Sequence, residues 1–199
     1  YLRILRFFRF HAAYGAGGMD REGLVACAAA AAKIHTLSRE RVTMEMLKWL
    51  GTDDPTPTIQ TAQDHGILRH IIPAEFRGDM MARLVDLQRD VNAPEVLARL
   101  HLLMDGYDPA PILRLSRTQA RYMQSLDQTV LEPDGTEISL KRDIYRYGYD
   151  LVVQRAVLDI AERAGAVPYE PQILQALKHL KTWPVPKFSV TGADLIAAG

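Results

Sequence analysis

The 199-residue chain has a single cysteine, Cys27, no net charge and no long apolar run. One cysteine cannot form an internal disulfide, which excludes a disulfide scaffold and a Cys-rich zinc site and suits a reducing, cytoplasmic compartment. The longest uninterrupted apolar stretch, Leu24–Ala32, falls far short of the roughly 18–20 residues a membrane-spanning helix needs. The six histidines, at 11, 35, 65, 70, 101 and 179, include no pair spaced i, i+4, so a transition-metal site is not expected. Asp-x-Asp does not occur; Asp20-x-Glu22 and Glu132-x-Asp134 come nearest, and both lie beside turns. Gly15–Gly18 lacks the Lys-Ser/Thr of a phosphate loop and reads as a connector. Alternating apolar and polar runs that would mark strands are missing as well.

What is present is a core-forming composition, 48% apolar and 24% charged. The zero net charge is a sum of unlike parts. Residues 1–50 carry eight bases against four acids, 51–110 five against ten, and 111–199 eleven against ten. Apolar periodicity predicts helices over Tyr1–Tyr14, Asp20–Ile34, Ser38–Gly51, Asp54–Gly66, Gly78–Val91, Pro94–Met104, Ser116–Val130, Ser139–Gly148, Tyr149–Ala164 and Pro171–Thr182, with a last start at Thr191–Asp194. The fold class is therefore all-α, a multi-helix bundle. Ser38 is expected to cap its helix, and Asp53-Asp54 to cap the next rather than bind metal. Asn92–Pro94, Gly106–Pro111 and Trp183–Pro186 are candidate linkers. The chain opens on Tyr1 inside an amphipathic pattern, and is expected to be a piece of a longer protein.

The first helix carries the strongest chemical signal. Arg3, Arg6 and Arg9 recur every three residues on a helix with no Asp or Glu, while Leu2, Ile4, Leu5, Phe7, Phe8 and Phe10 supply the apolar remainder. Guanidinium groups stay charged at all relevant pH and present planar donor pairs to phosphates and base edges. Acids on a neighbouring helix would satisfy any one of them; three in register point to an anionic ligand. Farther along, Arg114, Arg117 and Arg121, then Lys141, Arg142 and Arg146, then Lys178, Lys181 and Lys187 are candidate RNA phosphate contacts or ordinary solvated faces.

The segment Tyr1-Leu2-Arg3-Ile4-Leu5-Arg6-Phe7-Phe8-Arg9-Phe10 resembles the neck helix of the bacterial class II tRNA nucleotidyltransferases, the CCA-adding enzymes, and their poly(A) polymerase relatives, whose motif is Glu-Asp-x-x-Arg-x-x-Arg-x-x-Arg-Phe. Leu37-Ser38-Arg39-Glu40-Arg41-Val42 with Glu45 is similar to the next neck motif, and Phe188–Leu195 to the start of the family's tail. The resemblance implies a neck over 1–51, a helical body over 52–183 and the start of a tail over 184–199. It further implies that Arg3, Arg6 and Arg9 contact the incoming CTP or ATP, with Arg3 part of the template for the base edge, and that Ser38, Glu40, Arg41 and Glu45 support the neck. It implies tRNA or another RNA 3′ end as partner. Mg2+ would sit in a catalytic head that this sequence does not contain, so no cofactor or catalytic residue is expected on this chain, and the chain alone is expected to be inactive. Two other readings remain open at this stage: a free-standing helical protein-interaction module, whose arginine stripe pairs with acids of 51–110, and a helix-turn-helix DNA binder, which the neutral charge disfavours.

Overall fold

A computed structural model describes residues 1–132, 134–163 and 167–186. Among them are ten α-helices and no strand: α1 Leu2–Tyr14, α2 Arg21–Ala30, α3 Arg39–Leu50, α4 Thr56–Asp64, α5 Gly78–Asp90, α6 Val96–Met104, α7 Arg117–Gln128, α8 Glu137–Tyr147, α9 Tyr149–Glu162 and α10 Glu170–Leu180. The all-α expectation holds. The anticipated start at Thr191–Asp194, Lys187 and the tail-like segment Phe188–Leu195 lie outside the described residues.

Local chemistry explains most of the boundaries. Ser116 and Gln119 form a complete capping box at the start of α7. Gly148 ends α8 and begins α9 with no residue between them; its φ of +85° is a conformation that a side chain would strain. Asp54 accepts a hydrogen bond from the Thr56 amide at 2.9 Å, as a cap should. Asp53 does something else: its carboxylate pairs with Arg89 on α5 at 2.8 Å. The helix expected over Asp20–Ile34 is α only to Ala30 and tightens into a 3-10 turn over Ala31–Thr36. There the Thr36 hydroxyl donates to the Lys33 carbonyl, three residues back, at 2.7 Å, and the His35 ring bonds the Ala32 carbonyl in the same way. Both contacts favour the narrower winding.

The core is one continuous cluster from Leu2 to Leu180. At one end α1 lies against α3 and α4: Phe8 stacks on Trp49 with centroids 5.3 Å apart, and the Trp49 indole N–H donates to the Thr58 hydroxyl at 2.8 Å. All three are buried, so the indole keeps its hydrogen bond while its ring is packed.

Behind this layer runs a buried polar chain. Arg99 on α6 donates from Nη1 to the Leu50 and Thr52 carbonyls at 2.7 and 2.6 Å, and from Nε to Gln88 Oε1 at 2.8 Å. Gln88 on α5 then donates to Gln154 Oε1 at 2.9 Å, and Gln154 on α9 to the Ala93 carbonyl at 2.8 Å. A cation is placed where the last carbonyls of α3 leave a partial negative charge. Burial drives the Arg99 pKa down from its ordinary value, with Arg89 adding to the effect, but it lies so high that the group remains a cation. Four helices are thereby tied to one guanidinium. Arg99→Met is expected to leave three acceptors without a donor and to cost about 3–5 kcal/mol, at ~1–3 kcal/mol for each orphaned group with partial relaxation. A urea melt measures this; a loss below about 1 kcal/mol would show that the network is dispensable.

Candidate nucleic-acid interface

Glu45 is the organising residue of α1 and α3. Its carboxylate is almost completely buried, with its side chain 2% exposed. It accepts from Arg6 Nε at 3.0 Å through one oxygen and from Arg9 Nε at 2.8 Å through the other. Burial would raise its pKa, but the hydrogen bonds and charges of Arg6 and Arg9 outweigh that effect and hold the carboxyl below the usual range. The acid that meets the stripe comes from α3 rather than from residues 51–110, as a protein-interaction module had required.

The three arginines are not equivalent. Arg9 is mostly buried, 17% exposed, with its guanidinium 4.2 Å from the centre of the Phe10 ring. Arg6 is half exposed at 49%, and only its Nε is engaged with Glu45. Its two terminal nitrogens are left for a ligand. Arg3 is exposed and has no hydrogen bond or ion pair among the described residues. The same helix therefore grades from an anchored arginine through a half-engaged one to one that is fully available.

The residues of the second motif divide too. Ser38 has the extended backbone of an N-cap, and its carbonyl accepts from the Arg41 and Val42 amides at 3.1 and 3.2 Å, yet its hydroxyl makes no capping bond. The Glu40 carboxylate is held below its ordinary range by its own backbone amide first, and by Ser38, Arg114 and Arg39 in smaller degree. Arg41 is exposed. Arg39 and Thr43, which sequence reasoning did not single out, join α3 to the segment before α7. Arg39 donates to the Ala110 carbonyl at 2.9 Å, and the Thr43 hydroxyl accepts from the Arg114 amide at 2.7 Å. Only the folded chain reveals that link, since 71 residues separate each pair.

Among the later candidates, four are engaged within the chain. Lys141 pairs with Glu137 at 3.1 Å, Arg142 with Asp143 at 3.2 Å and Lys178 with Asp90 at 2.6 Å, while Lys181 donates to the Asn92 carbonyl at 2.9 Å. Arg146 lies over the Tyr147 ring at 5.6 Å. Arg114, Arg117 and Arg121 are exposed, and their side chains make no ion pair among the described residues. Arg114 and Arg117 also line a cleft of about 620 Å³ between α6, α7 and their connection, with His101, Tyr107 and Met123. Among the described residues no three His, Cys, Asp or Glu side chains are grouped to hold a metal ion. Nor is any helix of the described residues long and apolar enough to cross a membrane.

Comparison with known proteins fits this geometry. Residues 19–75, from the end of the glycine connector to just before α5, match the family described as "Probable RNA and SrmB-binding site of polymerase A". Over its full length the chain is 27% identical to mouse mitochondrial CCA tRNA nucleotidyltransferase 1 and 26% identical to the zebrafish (Danio rerio) protein of the same name. The chain is thus similar in sequence to CCA tRNA nucleotidyltransferases. It spans about half the length of these relatives, 47% of each. Two solved structures share its fold over the whole chain. One is a CCA-adding enzyme in apo form II, with TM-score 0.62, 18% identity and half of that chain covered. The other is the Thermotoga maritima CCA-adding enzyme complexed with tRNA, with TM-score 0.62, 19% identity and 52% covered.

The Glu45 arrangement makes a pH-dependent prediction. A carboxyl whose pKa is lower folded than unfolded stabilises fully above its unfolded value of about 4.3, and loses that contribution as pH falls through the folded value. Glu45→Gln is expected to cost about 1.5–3 kcal/mol at neutral pH, the usual worth of hydrogen bonds to a charged group. The gap between variant and wild type should narrow progressively as pH falls below the unfolded value. Urea melts at pH 7 and pH 3 check it, and an equal gap at both would contradict the ionised pairing.

Proposed function

We propose that this chain is the nucleotide-recognising and RNA-binding portion of an enzyme that adds CCA or A residues to RNA 3′ ends. The observation that carries the reading is the arginine face of α1. One buried carboxylate aligns Arg6 and Arg9, and Arg3 is left with all its donors unspent. A fixed guanidinium offers a planar donor pattern that fits some base edges and leaves others with unpaired polar groups. The relation to CCA tRNA nucleotidyltransferases and the match at residues 19–75 support this reading.

In it, residues 1–51 act as a neck that holds the base of CTP or ATP through Arg3, Arg6 and Arg9. Ser38, Glu40, Arg41 and Glu45 steady α3 beneath it. Residues 52–183 form the body, and 184–199 begin a tail. Arg114, Arg117 and Arg121 face the phosphates of tRNA, each neutralised phosphate releasing a counterion and making binding fall with salt. Lys141, Arg142, Arg146, Lys178 and Lys181 extend that surface with weaker net charge, since most are paired. Nucleotidyl transfer, its Mg2+ and its catalytic carboxylates belong to residues other than those described here, and no step of the transfer is assigned to this chain. A single cysteine suits the cytoplasm as the place of work.

The test is Arg3→Ala in an enzyme carrying this segment. It removes donors aimed at the base and leaves triphosphate binding elsewhere untouched. The expected result is reduced discrimination among CTP, ATP, GTP and UTP in kcat/KM, together with slower addition. A variant that melts early but keeps the parent's nucleotide ranking would show that Arg3 is only structural.

A further inference from the structure

The arginine face of α1 does not stop at Arg9. At helical spacing Arg3, Arg6, Phe10 and Tyr14 fall on one side of the helix, over about 16 Å of its length. Phe10 is 49% exposed and Tyr14 81% exposed, the largest exposure of any large apolar or aromatic residue among those described. Large aromatic rings held in water need a reason, and here they are ordered. Glu45 fixes Arg9; the Arg9 guanidinium covers Phe10 at 4.2 Å; and Phe10 stacks with Tyr14, centroids 6.1 Å apart at 29°. The ladder is rooted in a buried carboxylate and ends on a tyrosine open to solvent. Beyond it, the connector Gly15–Gly18 is exposed, and a Cβ placed on Gly17 or Gly18 would meet nothing within 4 Å.

We propose that Tyr14 is a stacking platform for an unpaired nucleobase of a single-stranded RNA segment lying along α1. Two features choose RNA over a protein segment as the occupant. Arg3, Arg6 and Arg9 share the helix with the rings, and against the one Glu45 carboxylate that pairs with two of them this face keeps a net positive charge, which suits a polyanion. The exposed surface is a flat ring at the end of a pre-stacked ladder rather than a groove, which suits a flat base that continues the stack. Base-on-aromatic stacking tolerates any base and needs a cationic track beside it for the backbone. The inference rests on the reading of α1 as the nucleic-acid face, and adds the site where the strand's bases are gripped.

The experiment uses the 199-residue chain and an RNA hairpin whose unpaired 3′ segment carries 2-aminopurine, a base whose fluorescence falls when it stacks. Wild type should quench the probe at low salt. Tyr14→Ser should abolish the quenching and weaken binding roughly 5- to 100-fold, whereas Tyr14→Phe and Tyr14→Trp should restore both, because the ring and not the hydroxyl does the stacking. The side chain is so exposed that thermal melts of these variants should match wild type. Unchanged quenching and affinity in Tyr14→Ser would overturn the proposal; it is also the result expected if a protein segment covers this face. Arg3→Ala, measured in parallel, separates the two ideas. If it weakens binding while Tyr14→Ser does not, only the platform fails. If neither has an effect, or if wild type binds no hairpin at low salt, the nucleic-acid reading of α1 fails with it.

Discussion

One buried carboxylate determines what the first helix can do. Three arginines on a helix with no acid repel one another and, left to solvent, would sample many rotamers. Glu45 converts two of them into a fixed pair by giving each its own oxygen. Both bonds engage Nε, so the terminal nitrogens of the half-exposed Arg6 still face outward. Position is thereby gained without consuming the donors that recognition would use. The stacking of Phe8 on Trp49 holds α1 against α3, and the Trp49 to Thr58 hydrogen bond ties α3 to α4.

The second constraint lies deeper. The helix α3, which carries Glu45 near its middle, is held at its C-terminal end by Arg99, and through Gln88 and Gln154 it is tied to α5 and α9. Buried polar chains of this kind are costly when incomplete, because each orphaned group forfeits its hydration. Here every link in the chain has a partner. The arginine face of α1 is therefore joined through Glu45, α3 and Arg99 to α6, which packs against α7, the helix that carries Arg117 and Arg121. Arg39 and Thr43 make a second connection, from the first half of α3 to the strand of chain just before α7.

Much of this was legible in the sequence, for identifiable reasons. Helix positions follow from apolar spacing and from caps such as Ser116 and Gly148, which act over a few residues. The arginine stripe is local as well, and so is its resemblance to a neck helix. What remained hidden is tertiary. Nothing local says that Glu45 rather than an acid of 51–110 receives Arg6 and Arg9, or that Lys178 meets Asp90 while Arg117 is left open. Ser38 shows the limit even at short range: its backbone caps α3, but its hydroxyl makes no capping bond. Arg99 carries no local signal, and only its burial against three acceptors reveals its part. The exposure of Tyr14 is equally a product of the packed fold and carries no local signal.

The central claim, that α1 presents its arginines to a nucleobase, can be read residue by residue from arginine Nε–Hε resonances in an NMR titration of the chain with ATP or CTP. The account predicts that the Arg3 and Arg6 signals shift on addition of either nucleotide, while Arg99 and Arg155, buried in bonds to carbonyls and to Asp159 and Glu162, stay in place. Shifts confined to Arg114, Arg117 or Arg121, with Arg3 and Arg6 unmoved at saturation, would contradict it.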